Sequence, residues 1–215
     1  MKQILVMMAA AVLVGCSKDT PETSQAEAQV TPAPSPEPDP VSPADEKLIA
    51  DPIVEKAVRK SLEKPEGELT EADLEKVTSL RLPFRQITDV GLKEVAKLQN
   101  LKHLWLDNTR ITDAGLKEIA KLQKLEGLYL EGTRITDAGL KNVTRLENLQ
   151  DLWLHNTSIT DVGLKEVAKM KQLKSVSMFT TGGAPWTYGA ETRATFTRAG
   201  MAELRKALPN CRFNP

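Results

Sequence analysis

The chain has 215 residues with 29 Lys plus Arg against 29 Asp plus Glu, so its formal charge is zero and the electropositive footprint of a nucleic-acid binder is missing. Hydrophobic residues make up 40% and aromatics 4%, enough for a core, but one built from Leu, Val, Ile and Ala. The two cysteines, Cys16 and Cys211, stand at opposite ends, which excludes a disulfide framework and a zinc cluster and leaves no cofactor or metal to expect.

Met1 to Gln3 gives a short basic start, Ile4 to Val14 is an uncharged apolar run, and Gly15-Cys16 ends it. This is the pattern of a signal peptide, and the run is about half of the roughly 20 residues that a membrane-spanning helix needs. Leu13-Val14-Gly15-Cys16 resembles the bacterial lipobox, which implies that residues 1–15 are removed and that Cys16 is acylated and anchors the chain to a membrane. Ser17 after the cysteine, rather than Asp, points to the outer membrane, facing either the periplasm or the surface.

Residues 17–46 hold seven of the thirteen prolines, seven acids and one base, Lys18. Such a composition cannot bury a core and predicts that residues 16–46 form a disordered tether. Proline at every second position from Pro32 to Pro40 favours polyproline II, so the tether could span about 90 Å at about 3.1 Å per residue. The remainder, residues 47–215, is mildly basic, with 27 bases against 22 acids.

From Pro52, the residues Ile53, Val54, Ala57, Val58 and Leu62 recur at helical spacing, and Thr70-Glu71-Ala72-Asp73 reads as a capping box opening a second short helix. Residues 47–76 therefore form a helical N-terminal cap, similar to that of internalin-like bacterial leucine-rich repeat proteins.

ITDVGL at Ile87, ITDAGL at Ile111, ITDAGL at Ile135 and ITDVGL at Ile159 start 24 residues apart. The frame LxxLxLxxTxITDxGLKxVAxL alternates as a strand in its first half and has helical spacing in its second, so each unit is strand, turn, helix. It resembles a leucine-rich repeat array of the ITDxGL type from about Leu48 to Phe213. That implies an α/β solenoid, a right-handed horseshoe with a parallel sheet on the concave face and helices on the convex face, over residues 77–215. Thr109, Thr133, Thr157 and Thr181 take the position usually held by Asn and should bond the turning backbone from inside. Thr112-Asp113 and its copies should cap helix starts. The fifth unit is interrupted by a thirteen-residue insertion within residues 182–195, after which Phe196 to Met201 resumes the pattern and Ala207 to Phe213 closes the array. Phe196, Phe213 and Cys211 fit core positions, whereas Phe84 and Phe179 fit either side.

Each LxxLxL exposes three positions on the concave face. The central column reads Arg81, Trp105, Tyr129, Trp153, Ser177, with His103, Gly127 and Asp151 on one flank and Asp107, Glu131 and His155 on the other. The other large polar aromatics, Trp186 and Tyr188, fall in the insertion and would form a side wall. Exposed aromatics on a rigid sheet are typical of interaction hot spots, so the expected function is binding of a protein or glycan by Trp105, Tyr129, Trp153, Asp107, Glu131, Asp151, His155, Trp186 and Tyr188, in a monomeric protein. The competing reading is a structural, envelope-organising array whose aromatics only pack on each other. A remoter one is glycan hydrolysis, since Asp107 and Glu131 would sit about 5 Å apart, as in retaining glycosidases. An open sheet excludes no water and should leave neither acid with a raised pKa, so no enzyme is expected. The lysines of the helices alternate with Glu94, Glu118 and Glu166 and read as a solvated face.

Overall fold

A computed structural model describes residues 47–82, 87–178 and 196–214. The leader, Cys16, the tether, Phe84, Phe179, Thr181 and the insertion with Trp186 and Tyr188 lie outside the described residues. No helix among the described residues is long and apolar enough to cross a membrane.

Helix α1 (Pro52–Ser61) starts where the Asp51 carboxylate accepts the backbone N–H groups of Ile53 and Val54, with Pro52 in the first turn, where a missing N–H costs nothing. Val54 and Val58 are fully buried, and Ala57 and Leu62 pack at the edge of the same core. Helix α2 (Glu71–Lys76) carries the expected capping box: Thr70 Oγ1 accepts from Asp73 N–H, and the Asp73 carboxylate accepts from Thr70 N–H. Lys64 beside Asp73, aided by the Thr70 bonds, holds that carboxyl far below the usual carboxylate range.

Six strands follow, each of three residues: β1 (Ser79–Arg81), β2 (His103–Trp105), β3 (Gly127–Tyr129), β4 (Asp151–Trp153), β5 (Ser175–Ser177) and β6 (Arg212–Asn214). They pair in parallel in sequence order as one sheet. Between them run α3 (Gly91–Val95), α4 (Asp113–Ile119), α5 (Asp137–Val143), α6 (Asp161–Val167) and α7 (Arg198–Ala207). The sheet is thus an open array of strand–helix units, the leucine-rich repeat solenoid that the 24-residue period implies.

The register is fixed by the leucines. Leu80, Leu104, Leu128, Leu152 and Val176 are Cα partners in successive strands and are all buried. They meet Leu92, Leu116, Leu140 and Leu164 of the helices in one continuous core. Ser175 pairs with Arg212, an offset of 37 residues instead of 24, so the chain between β5 and β6 carries thirteen residues beyond the period without disturbing the pairing. Phe196 and Phe213 are half-buried against the core, and Cys211 is buried, which pushes its thiol pKa up.

The ITDxGL motif does more than cap helices. The threonine hydroxyls do cap, Thr112 accepting from Ala114 N–H and its copies likewise. The aspartates do not cap their own helices, contrary to the sequence expectation; they reach the next repeat. Asp89 accepts both the N–H (2.8 Å) and the hydroxyl (2.7 Å) of Thr112. Asp113 does the same with Thr136, Asp137 with Thr160, and Asp161 with Thr197 across the insertion. The glycine of the motif makes room for this clasp: a Cβ on Gly115 would lie 2.5 Å from Asp89 Oδ1, and those on Gly139, Gly163 and Gly200 would come closer still to the preceding aspartate. At the first repeat Asp51 stands in the aspartate's place, its Oδ2 2.8 Å from where a Cβ on Gly91 would lie, but its carboxylate accepts from the Ile53 and Val54 N–H groups of α1. Thr88 makes no cap, and α3 begins at Gly91 after an uncapped Val90 and is two residues shorter than α4.

Candidate functional site

The buried threonines Thr109, Thr133 and Thr157 each donate their hydroxyl to the carbonyl three residues back, Leu106, Leu130 and Leu154. This closes the turn after each strand from inside. The residue before each threonine sits in the left-handed region, Asn108 at φ 55°, Gly132 at 65° and Asn156 at 53°. At Gly132 the requirement is also steric, since a Cβ would run into the Asn108 side chain. The result is a rigid frame that presents one face of the sheet away from the helices.

On that face Arg81, Trp105, Tyr129, Trp153, Ser177 and Asn214 are Cα partners in successive strands. The three aromatics do stand in one row. Trp105 and Tyr129 lie parallel at 5.0 Å between centroids and 5° between planes, while Trp153 meets Tyr129 edge-on at 5.3 Å and 64°. His103 stacks on Trp105 at 5.9 Å and His155 meets Trp153 edge-on at 5.9 Å, so the row continues into the two flanks. The Arg81 guanidinium sits 5.2 Å from the Trp105 ring centre, a cation–π contact.

The rings are half-buried rather than fully exposed, since each covers part of its neighbour. Part of their area is therefore packing, as the competing reading of the sequence holds, and part faces outward.

Two flank positions behave otherwise than the sequence suggests. His155 is 8% exposed and its Nε2 bonds the Ser177 hydroxyl, and Ser177 is itself 2% exposed. Burial holds the His155 imidazole below its ordinary pKa. His155 thus belongs to the wall under the platform instead of its rim, because Ser177 leaves a gap where the earlier strands have rings. Gly127 has the reverse cause: a Cβ there would lie 2.6 Å from His103 Nδ1, so the absent side chain is the space His103 occupies.

Asp107, Glu131 and Asp151 are half-buried beside the rings. Asp107 is pushed above the usual carboxylate range, first by burial and then by the charge of Glu131. That overturns the expectation that neither acid shifts. The cause is local: Asp107 lies between Arg81 and Glu131 on a crowded face, and the Glu131 backbone bond and the Arg81 charge offset its desolvation only in part. Tyr129 is also raised, by burial and by the charges of Asp151 and Asp107. A raised acid beside a second carboxylate can exchange protons, yet the aromatic row runs along an open sheet, and a cleft of about 510 Å³ lined by Val176, Phe196, Met201 and Phe213 includes none of the three rings. No group of three or more His, Cys, Asp or Glu among the described residues could hold a metal ion.

Glu55, Asp73, Glu94, Glu118, Glu126 and Glu166 all pair with a lysine or arginine. Asp107, Glu131 and Asp151 make no ion pair among the described residues. Exposed acids such as Glu63 and Glu147 make none either, so the acids of the open face are distinguished by their half-burial beside the rings, which the sequence does not show.

Comparison with known proteins agrees with the architecture. Residues 99–142 match the family model described as leucine-rich repeats in two copies. No curated protein matches the sequence. Among solved structures, the chain is similar to an internalin, InlF, from Listeria monocytogenes, with 22% identity and a TM-score of 0.55 over 77% of this chain and 43% of that one. It is also similar to internalin C2 of the same organism, with 25% identity and a TM-score of 0.51 over 77% of this chain and 75% of that one. The chain thus spans less than half of the InlF chain. The period, the buried leucine ladder, the parallel sheet and these likenesses together give the chain a leucine-rich repeat fold, with residues 99–142 matching two repeats of that family.

Proposed function

We propose that this chain is a lipid-anchored envelope protein that captures a macromolecular partner on the open face of its sheet, with Trp105, Tyr129 and Trp153 as the platform. The observation that carries the reading is the segregation of residue types. The inward positions of β1 to β5 repeat as leucine with one valine, whereas the outward central column departs from any repeat and holds the three aromatics of β2 to β4. A row of half-exposed rings on a fully paired parallel sheet loses little conformational entropy on binding, which is the property of hot-spot aromatics. Leader, lipobox cysteine and proline-rich spacer support attachment through Cys16 to the outer membrane, with the array held away from the lipid.

The binding test is recovery of partners from an envelope extract by the full chain and by its Trp105→Ala/Trp153→Ala variant. Trp153→Ala should weaken a partner that the full chain holds by about thirtyfold, the effect of truncating a central hot spot at about 2 kcal/mol. Its melting temperature should fall only slightly, because the ring contacts to Tyr129 and His155 contribute about 1 kcal/mol. A variant that binds as wild type would show the array to be a structural element of the envelope, with rings that serve packing. Metabolic labelling with a fatty acid tests the anchor: label should enter the wild type and not Cys16→Ser, and label retained by the variant would remove Cys16 from the proposal.

A further inference from the structure

Three carboxylates border the aromatic row, and none of them forms an ion pair among the described residues. Across β2, β3 and β4 the three outward columns contain Asp107, Glu131 and Asp151 and no lysine or arginine. His155, the other titratable group on the downstream flank, is held towards its neutral form by burial. Elsewhere the protein has cations to spare: the folded part is net basic, and lysines pair with the acids of the helices at 2.6 to 2.9 Å. What sets these three acids apart is their place: half-buried, beside aromatic rings, on strands whose outward columns hold no lysine or arginine.

The face also shows what it accepts. At its near end Arg81 lies over Trp105 and is the single charge that draws the Asp107 carboxyl down. Arg81 thus uses a ring and a carboxylate together, as a bound cation would. Tyr129 and Trp153 have the same surroundings, rings next to Glu131 and Asp151, but no cation of their own among the described residues.

Resting on the binding role proposed above, we infer that the occupant of this face is an extended, arginine- or lysine-bearing peptide segment of a partner protein, laid across β2 to β4. Strands are about 4.8 Å apart, so the row from Trp105 to Trp153 spans roughly 10 Å, and alternate side chains of an extended peptide, roughly 7 Å apart, place two cations along it. One sits over Tyr129 beside the Asp107–Glu131 pair. The other reaches Trp153 beside Asp151. Each guanidinium gains a ring face and a carboxylate that is already partly desolvated, so binding relieves the repulsion between Asp107 and Glu131. A neutral glycan would leave the three charges uncompensated while covering them, which disfavours it. An acidic segment would meet like charge.

The test titrates the full chain, in a nonionic detergent, with an eight-residue alternating Arg-Gly peptide, its Glu-Gly counterpart and a neutral cello-oligosaccharide, read by tryptophan fluorescence and calorimetry. The Arg-Gly peptide should bind, and 0.5 M salt should abolish most of the affinity. Asp107→Asn/Glu131→Gln, which keeps shape and removes charge, should weaken it about tenfold, as expected for the loss of two partly screened charge pairs. Trp153→Ala should weaken it further. Binding of the oligosaccharide in preference to the Arg-Gly peptide, equal binding of the two peptides, or no binding of the Arg-Gly peptide would each overturn the cationic occupant. The wider binding role would survive those results as long as Trp153→Ala still released a partner captured from envelope extract, so the two conclusions fail separately.

Discussion

On the helix side of the array the contacts recur with the period: the aspartate of one motif holds the threonine of the next, the glycine clears the space, and the glutamates of α3, α4 and α6 pair with the lysine three residues on. On the open face nothing repeats. Arg81, Trp105, Tyr129, Trp153, Ser177 and Asn214 share a column without sharing a chemistry, and the acids next to them form no ion pair among the described residues. A position that must serve the lattice is fixed by its neighbour one period away, because the same contact recurs in each unit. A position free of that duty can vary, and the residues there answer to something outside the lattice. The difference can be broken or sharpened by substitutions on either side.

The largest effect should come from violating the period. Deleting residues 111–134 removes one whole unit and brings Asp89 to Thr136 in the place of Thr112, with every strand still in register. That variant should melt cooperatively at a lower temperature. Deleting half a unit, 12 residues, places helix sequence where a strand must pair and should abolish the cooperative transition in circular dichroism. Equal melting temperatures for the two deletions would refute the dependence of the core on register.

A smaller but still severe effect is expected at the clasp. In Gly139→Ala the new methyl group meets Asp113 Oδ1 and, at 2.8 Å, Leu116 Cδ1, both of the preceding unit. Overpacking together with a displaced charge-assisted hydrogen bond should cost about 3 kcal/mol, a fall of roughly 6–12 °C in melting temperature. Asp113→Ala alone should cost about 2 kcal/mol through the two bonds to Thr136. In the double variant the methyl group no longer has a carboxylate to displace, so the cost should fall well below the sum of the two. Strict additivity in this cycle would show that Gly139 serves helix packing and not the clasp.

Legibility in the sequence follows the same division. The 24-residue period reveals strands, helices, the leucine ladder, the inward threonines and the composition of the outward column, because each is a local pattern repeated in phase. The capping box at Thr70 is equally local. What the sequence conceals is contact between units: the direction of the aspartate carboxylates, 23 residues from their partners, reads as self-capping until the stacking of the units is known. His155 looks like a rim residue by its column, and only the small Ser177 on the next strand lets it sink. The rise of the Asp107 pKa is likewise a property of crowding by Glu131 and the rings, for which no spacing rule exists.

The smallest effect is the most specific to the open face. A carboxyl whose folded pKa is raised takes up its proton more readily in the native state than in the unfolded one. Stability therefore falls as pH rises from the unfolded value, about 3.9, through the raised native value, and the full cost remains at neutral pH. Asp107→Asn keeps the size and the backbone bond acceptor while removing the charge that burial and Glu131 oppose. It should leave the protein slightly more stable at pH 7, by about 0.5 kcal/mol as for relief of a like-charged cross-strand pair, and the gain should vanish below about pH 3.9. The clasp predicts the opposite sign on the other face, where Asp113→Asn turns one of the two oxygens that accept from Thr136 into an amide donor and should destabilise. Melting curves of the two variants at pH 7 and pH 3.5 decide the matter. If Asp107→Asn proved as destabilising as Asp113→Asn, the carboxylates of the open face would be serving the fold, and their half-burial beside the rings would no longer mark a surface kept for a ligand.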